Sequence, residues 1–393
     1  MSTSTPRLLE GIRIIDLTSV VFGPYCTQTL ADLGAEVIKI EAPPLGDIFR
    51  LAGTPAQTPL MGACHMTLNR GKRSALLDLK EENDQALLRA MLQTADVFIH
   101  NVREEAIGRL GFSYAEVKAL NPDIIYVHCM GFGAGGPYSD LQAYDDVIQA
   151  ASGVTTLETR VDGDPRPRYV PSTIADKIAG LHAAYATLAA IVHRLRTGAG
   201  QKVEVPMFEA FTGFLLEEHL YNGTFIPPTG AICYPRQVDP NRQPYKTADG
   251  YISIVPYSEQ NVVTLFELLG VPELLQDPRF DNPIARLSNQ SQVCMEVAKL
   301  TPSHSTAELL TLLNAARIPA MAVRDIADIL DDPHLVAVDF FEQREHPTEG
   351  KYHAMRPPVR FSAVGDIEVR HAPMVGEHTE ELRREFMGAN EKI

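Results

Sequence analysis

The sequence predicts an α/β protein, with a large domain built on a doubly wound parallel sheet and a smaller α+β domain after it. Two observations carry that fold class. Strand-like runs alternate with helical stretches over residues 11–205, a pattern that yields βαβ units and parallel strands. Residues 222–242 then turn rich in Pro, Gly and Asn and lose periodicity, marking a linker or binding loop between two domains.

Taken in order, residues 11–17 form the first strand. Residues 24–33 follow as a helix with Pro24 in its first turn and Gly34 at its end, and residues 36–40 return as a strand, completing one βαβ unit. Further strands fall at 96–100 and 124–130, with the helical stretch 114–120 between them. A helix from about 175 to 195 carries Ile178, Leu181, Tyr185, Leu188 and Ile191 at helical spacing, while Gly180, Ala183 and Ala184 keep its other faces small. Its apolar part, 178–192, is too short for a bilayer core of about 30 Å and reads as a buried helix. A strand at 202–205 and a helix at 208–221 close the pattern. Beyond the linker, residues 245–255 make a hairpin around Ala248-Asp249-Gly250, short amphipathic helices run to about Leu313, and strands return near 319–323 and 359–362. The expected domains are 1–222, completed by 326–393, and 223–325.

The chain has 393 residues, enough for two or three domains with a buried core. Fifty acidic against 35 basic residues leave a net charge of −15, which repels polyanions and argues against a nucleic-acid partner. Five widely spaced cysteines, with no C-x-x-C pair, fit reduced cytoplasmic thiols rather than a disulfide framework or a zinc site. The first ten residues lack the apolar run of a signal sequence, and no membrane association is expected.

The first βα turn, Ser19 to Pro24, opens a helix whose free N–H groups could face an anion. Its single glycine excludes a dinucleotide fingerprint, so Glu41 is not read as a ribose-binding acid. Residues 131–137 are glycine-rich but lack the Lys-Ser/Thr ending of a phosphate-binding loop. The twelve histidines show no metal-ligand spacing, and no G-x-S-x-G elbow is present. Asn69, Arg70, Lys72, Arg73, Asn101, Arg103 and Arg109 concentrate polar and positive groups in an acidic chain, as a phosphate patch or as solvated surface. Asp176, near the start of the buried helix, is expected to be held ionised by the helix dipole, either as a nucleophile facing a cavity or as a stabilising helix-end charge.

Seven segments in order, 11–17, 34–41, 69–79, 96–109, 175–180, 198–205 and 376–379, give the chain a resemblance to the family III CoA-transferases, the group that includes formyl-CoA transferase. The likeness covers nearly the whole chain. It implies a Rossmann-like large domain, an interlocked homodimer, and coenzyme A as co-substrate with no tightly bound cofactor. It implies Asp176 as the catalytic carboxylate, forming an anhydride and then an aspartyl-CoA thioester. Coenzyme A is assigned to Ser19, Val20, Phe22, Lys72, Arg73, Asn101, Val102 and Arg109, with the cationic members facing its phosphates. Ala42 stands where formyl-CoA transferase has an arginine near the adenosine, and the four-glycine loop of that enzyme has no counterpart around residues 238–243.

The partners implied are an acyl-CoA and a small carboxylic acid. Tyr144, Arg236 and Tyr245 are candidate substrate-binding residues, with helix packing the alternative for Tyr144 and a solvated loop the alternative for the other two; pairing by Arg236 and Arg242 favours a dicarboxylate such as succinate. A 2-methylacyl-CoA racemase of the same fold is the first alternative; there a histidine takes the place of Tyr144, whose phenol is a poor base near neutral pH. A non-catalytic CoA-binding module is the second.

Overall fold

The computed structural model describes residues 7–365 and 370–388. Two compact units emerge within those bounds. Among the described residues, one takes 7–154, 169–216, 337–365 and 370–388, and the other Thr155–Arg168 and Glu217–Val336.

The first unit holds six parallel strands: β1 (Arg13–Leu17), β2 (Glu36–Glu41), β3 (Arg73–Leu76), β4 (Val97–His100), β5 (Ile125–Met130) and β6 (Lys202–Pro206), in the order β3-β2-β1-β4-β5-β6. The runs Val97-Phe98-Ile99 and Ile125-Tyr126-Val127 are apolar at every position because both sheet faces are covered. Ile15, Ile38, Phe98 and Tyr126 stand in register on one face, against Leu87, Leu88, Met91 and Leu92 of helix Glu82–Thr94 and Leu382 of helix Thr379–Met387. On the other face lie helix Phe22–Asp32 and the long helix Ile174–Thr197, packed against each other. That close approach needs Gly180, where a Cβ would sit 2.8 Å from Phe22 O. The strand order reverses between β1 and β4, and ligands of such sheets bind at the C-terminal ends on either side of the reversal.

The long helix spans 24 residues, more than its apolar stretch indicates, and has the length and composition to cross a membrane. Its Ala179, Ala183, Ala184, Thr187 and Ile191 are buried in the first unit. Two strands depart from expectation. β3 begins within the basic run 69–74, where no strand is expected. Its edge is completed by the C-terminal segment, where Gly376 N–H donates to Ser74 Oγ (2.9 Å) and His378 N–H to Ser74 O (2.9 Å). The strand expected at 359–362 does not form: Pro357 and Pro358 lack ladder donors, and Val359 and Phe361 are exposed. The antiparallel pair is instead β10 (Phe341–His346) with β11 (Gly350–Met355).

In the second unit, β7 (Tyr245–Lys246), β8 (Tyr251–Ile254) and β9 (Ala320–Ala322) form an antiparallel sheet, as the hairpin reading and the strand expected at 319–323 require. Ile252, Ile254, Leu265, Phe266, Phe280, Val297, Leu309 and Leu313 make its core. Capping boxes at Ser258 with Asn261 and Ser305 with Glu308 start two of its helices.

Candidate active site

Asp176 lies in the first turn of the long helix and is 7% exposed. Asp145, at the start of helix Asp145–Ser152, accepts the Asp176 N–H on Oδ1 (2.9 Å) and Gln149 Nε2–H on Oδ2 (2.6 Å). Gln149 donates also to Ser172 O (3.1 Å) and accepts Val170 N–H (2.9 Å), so one Asp–Gln pair fixes the segment leading into the Asp176 helix. Burial, then the carboxylates of Asp145 and Asp146, push Asp176 up to about 7 against the pull of Lys177. This corrects the expectation of a dipole-held anion. Two acidic neighbours in a desolvated setting outweigh the field of one helix end. Asp145 and Gln149 escaped sequence reasoning as positioning groups; the only local signal was an Asp-Asp pair at a helix start.

The loop after β1 meets the residue after β4. Asn101 accepts Ser19 N–H (3.1 Å) and donates to Ser19 O (3.0 Å), joining the two sides of the sheet reversal. Val20 has φ +70°, a left-handed conformation that β-branched residues avoid, and its N–H donates to Asp47 Oδ1 (3.0 Å). Phe22, nearly buried, begins the next helix, and Val102 O lies 3.1 Å from both His100 Nδ1 and His128 Nε2. Ser19, Val20, Phe22, Asn101 and Val102 therefore share the crevice side of the sheet.

The basic candidates separate. Lys72 is buried, with Nζ 3.2 Å from Asp16 Oδ2 and donating to Thr27 Oγ1 (2.7 Å) and Asn69 Oδ1 (2.9 Å). Burial pushes it down to about 8 despite Asp16. Arg73, at the N-terminal start of β3, pairs with Glu36, Glu381 and Glu385. The expectation that these two cations face ligand phosphates is corrected, since their charges are used inside the protein. Arg109 points outward, its side chain 72% exposed and 3.8 Å from Glu105, and Arg103 is exposed as well. Within the glycine-rich segment, Gly133 N–H donates to Glu209 Oε1 (2.9 Å) and is not a spare oxyanion donor.

Tyr144 is exposed in the first unit, just before helix Asp145–Ser152. Tyr245 is a core residue of the second unit, its phenol pushed up by burial and by Cys294, which corrects its reading as a substrate contact. Arg236 is half-buried in the second unit.

The family model for CoA-transferase family III matches residues 9–379. The chain belongs to CoA-transferase family III. It is 31% identical to the succinate--glutarate CoA-transferase of Agrobacterium fabrum over 96% of this chain and 95% of that protein. It is 33% identical to the formyl-CoA:oxalate CoA-transferase of Streptomyces coelicolor, over 96% and 95% of the two chains. Among solved structures it resembles Rv3272 of Mycobacterium tuberculosis (TM-score 0.82, 28% identity, 96% of this chain and 99% of that one). It also resembles a CAIB/BAIF family protein from Brucella suis (TM-score 0.82, 29% identity, 97% and 100%). As a family III CoA-transferase it is an enzyme acting on carboxylic acids, with coenzyme A as co-substrate.

Proposed function

We propose that this family III enzyme moves coenzyme A from an acyl-CoA thioester to a small carboxylic acid, with Asp176 as the covalent nucleophile. An Asp176 oxygen attacks the thioester carbonyl; the C–S bond breaks, leaving a mixed anhydride and CoA thiolate. The thiolate attacks the aspartyl carbonyl, expels the donor acid as its carboxylate and forms an aspartyl-CoA thioester. The acceptor carboxylate then reverses both steps and regenerates Asp176. The observation that carries this reading is the environment of Asp176: buried, gripped at its N–H by Asp145, and pushed up to about 7. A carboxylate so raised is a poorly stabilised anion and hence a better nucleophile than an exposed one.

Coenzyme A is assigned to the crevice residues Ser19, Val20, Phe22, Asn101 and Val102, with Arg109 as the phosphate-facing cation. Succinate-sized dicarboxylic acids are the proposed acceptors, with Arg236 reading the second carboxylate and Tyr144 lining the acyl side. The names of two relatives, which act on succinate and glutarate and on oxalate, support that class. A cytoplasmic, interlocked homodimer is proposed. Its support is the apolar stripe Leu181, Tyr185, Val192 and Leu195, exposed along the long helix at helical spacing, which a second copy would cover.

The test is Asp176→Ala assayed with acyl-CoA donors against oxalate, succinate and glutarate, with mass analysis of the Asp176 peptide. The expected result is complete loss of exchange and of the wild-type adduct, with coenzyme A still bound. Full activity in the variant rejects the covalent route, and α-proton exchange in deuterated water without an acceptor acid would identify a racemase.

A further inference from the structure

Three consecutive residues after β1 are held by side chains from three separate elements. Lys39 of β2 donates from Nζ to Thr18 O (2.8 Å). Asn101, just past β4, accepts from and donates to the Ser19 backbone. Asp47, in the turn after β2, accepts Val20 N–H and Phe49 N–H on Oδ1, both at 3.0 Å, while its Oδ2 lies 2.9 Å from Lys39 Nζ. Both side chains of the Lys39–Asp47 pair are shut off from water. Val20 ends the run in its left-handed conformation, which persists only where the surroundings over-determine it.

The charges beneath the loop balance: Asp16 pairs with Lys72, Asp47 with Lys39, and Glu41 with Arg50. Neutralising Lys39 occupies Oδ2 of Asp47 alone. The other oxygen is used on two backbone N–H groups, one of them on the strained residue. A group needed only for charge balance has no reason to hold Val20 there. We infer that Asp47, braced by Lys39, is a positioning residue that presets residues 18–20 for coenzyme A; this rests on the proposed assignment of Ser19, Val20 and Phe22 to that ligand. A preset loop raises affinity because the binding-competent conformer is already the populated one.

The test compares Asp47→Asn with Asp47→Ala, each in a Lys39→Met background so that neither leaves a buried ammonium unpaired. Both remove the carboxylate charge, and only Asn keeps an oxygen for Val20 N–H. Titrating coenzyme A into each full-length variant should show roughly tenfold weaker binding in the Ala protein than in the Asn protein. The KM for acyl-CoA should rise by the same factor, with kcat at saturation unchanged within about twofold. Equal affinities in two folded variants overturn the inference. Should either variant fail to fold, amide exchange in the wild-type enzyme decides. The Val20 amide should be protected before coenzyme A is added, and protection that appears only on addition overturns the clamp. Wild-type protein that binds no coenzyme A sinks the functional reading itself, before any variant is compared.

Discussion

Replacing Asp176 by Asn should abolish exchange and at the same time stabilise the fold, in a pH-dependent way that the site geometry fixes. The folded carboxyl titrates near 7, against an ordinary value of 3.8. Between those two pH values the folded chain binds more protons than the unfolded chain, so stability contributed at this site is complete below pH about 4 and is lost as pH rises through 7. The interval is about three pH units, at 1.36 kcal/mol each, so the wild-type loses about 4 kcal/mol across it. Asparagine has no proton to lose, and its amide keeps nearly the shape of the protonated acid. The Asn variant and wild-type should therefore be similar near pH about 4, and the variant should be more stable by a few kcal/mol, about 4 at most, near pH about 8. Urea denaturation at one protein concentration across that range reads the difference directly. A stability gap that stays flat with pH, or that narrows as pH rises, refutes the reasoning.

The Asp145→Asn variant keeps an oxygen for the Asp176 N–H and removes the larger of the two acidic neighbours' effects. Because burial remains the first cause, the acid limb of the kcat/KM profile should move down without returning to the ordinary carboxylate range, and an unmoved or rising limb contradicts the assignment. In Gly180→Ala the new Cβ would meet Phe22 O at 2.8 Å and Tyr25 Cδ1 at 3.0 Å. A backbone oxygen cannot swing aside, so a loss of about 1–3 kcal/mol is expected, read as a lower urea midpoint at constant slope; an unchanged midpoint would show that the two helices have room.

The legible parts of this chain are those where local pattern and burial agree. β4 and the first half of β5 are unbroken apolar runs, β1, β2 and β6 set apolar residues between charged ones at strand spacing, and the hairpin at Ala248-Asp249-Gly250 carries its own signal. β3 is four residues beginning with Arg73 and Ser74, and what completes its edge is Gly376 to Thr379, about three hundred residues later. Nothing near β3 announces that partner. β10 and β11 hide for a related reason, since Glu342, Gln343, Arg344, Lys351 and His353 read as solvated polar chain. At the candidate site, the sequence singles out Asp176 as a candidate but not its protonation, because Asp145 lies 31 residues away and burial is a property of the assembled helices. Lys72 looks like a surface cation until Asp16, 56 residues upstream, takes its charge inside.

The raised Asp176 and the proposed covalent route fit together energetically. In the free enzyme the ionised carboxylate is opposed by burial and by Asp145 and Asp146. In a mixed anhydride, or in an aspartyl thioester, the same side chain is uncharged. Anhydride formation passes that charge to the coenzyme A thiolate, and thioester formation passes it on to the departing donor carboxylate, so each adduct relieves Asp176 of an ionisation that burial and its two acidic neighbours oppose. The same argument predicts which half of the cycle is burdened. Final release of the acceptor acyl-CoA must restore the carboxylate anion in that setting, so the enzyme should rest more readily as an acyl or thioester adduct than an enzyme with an exposed nucleophile. Weakening the acidic surroundings, as in Asp145→Asn, should then lower the adduct population that mass analysis finds at steady state. A variant with an undiminished adduct would mean that Asp145 acts on the position of the Asp176 helix and not on the charge of its carboxylate.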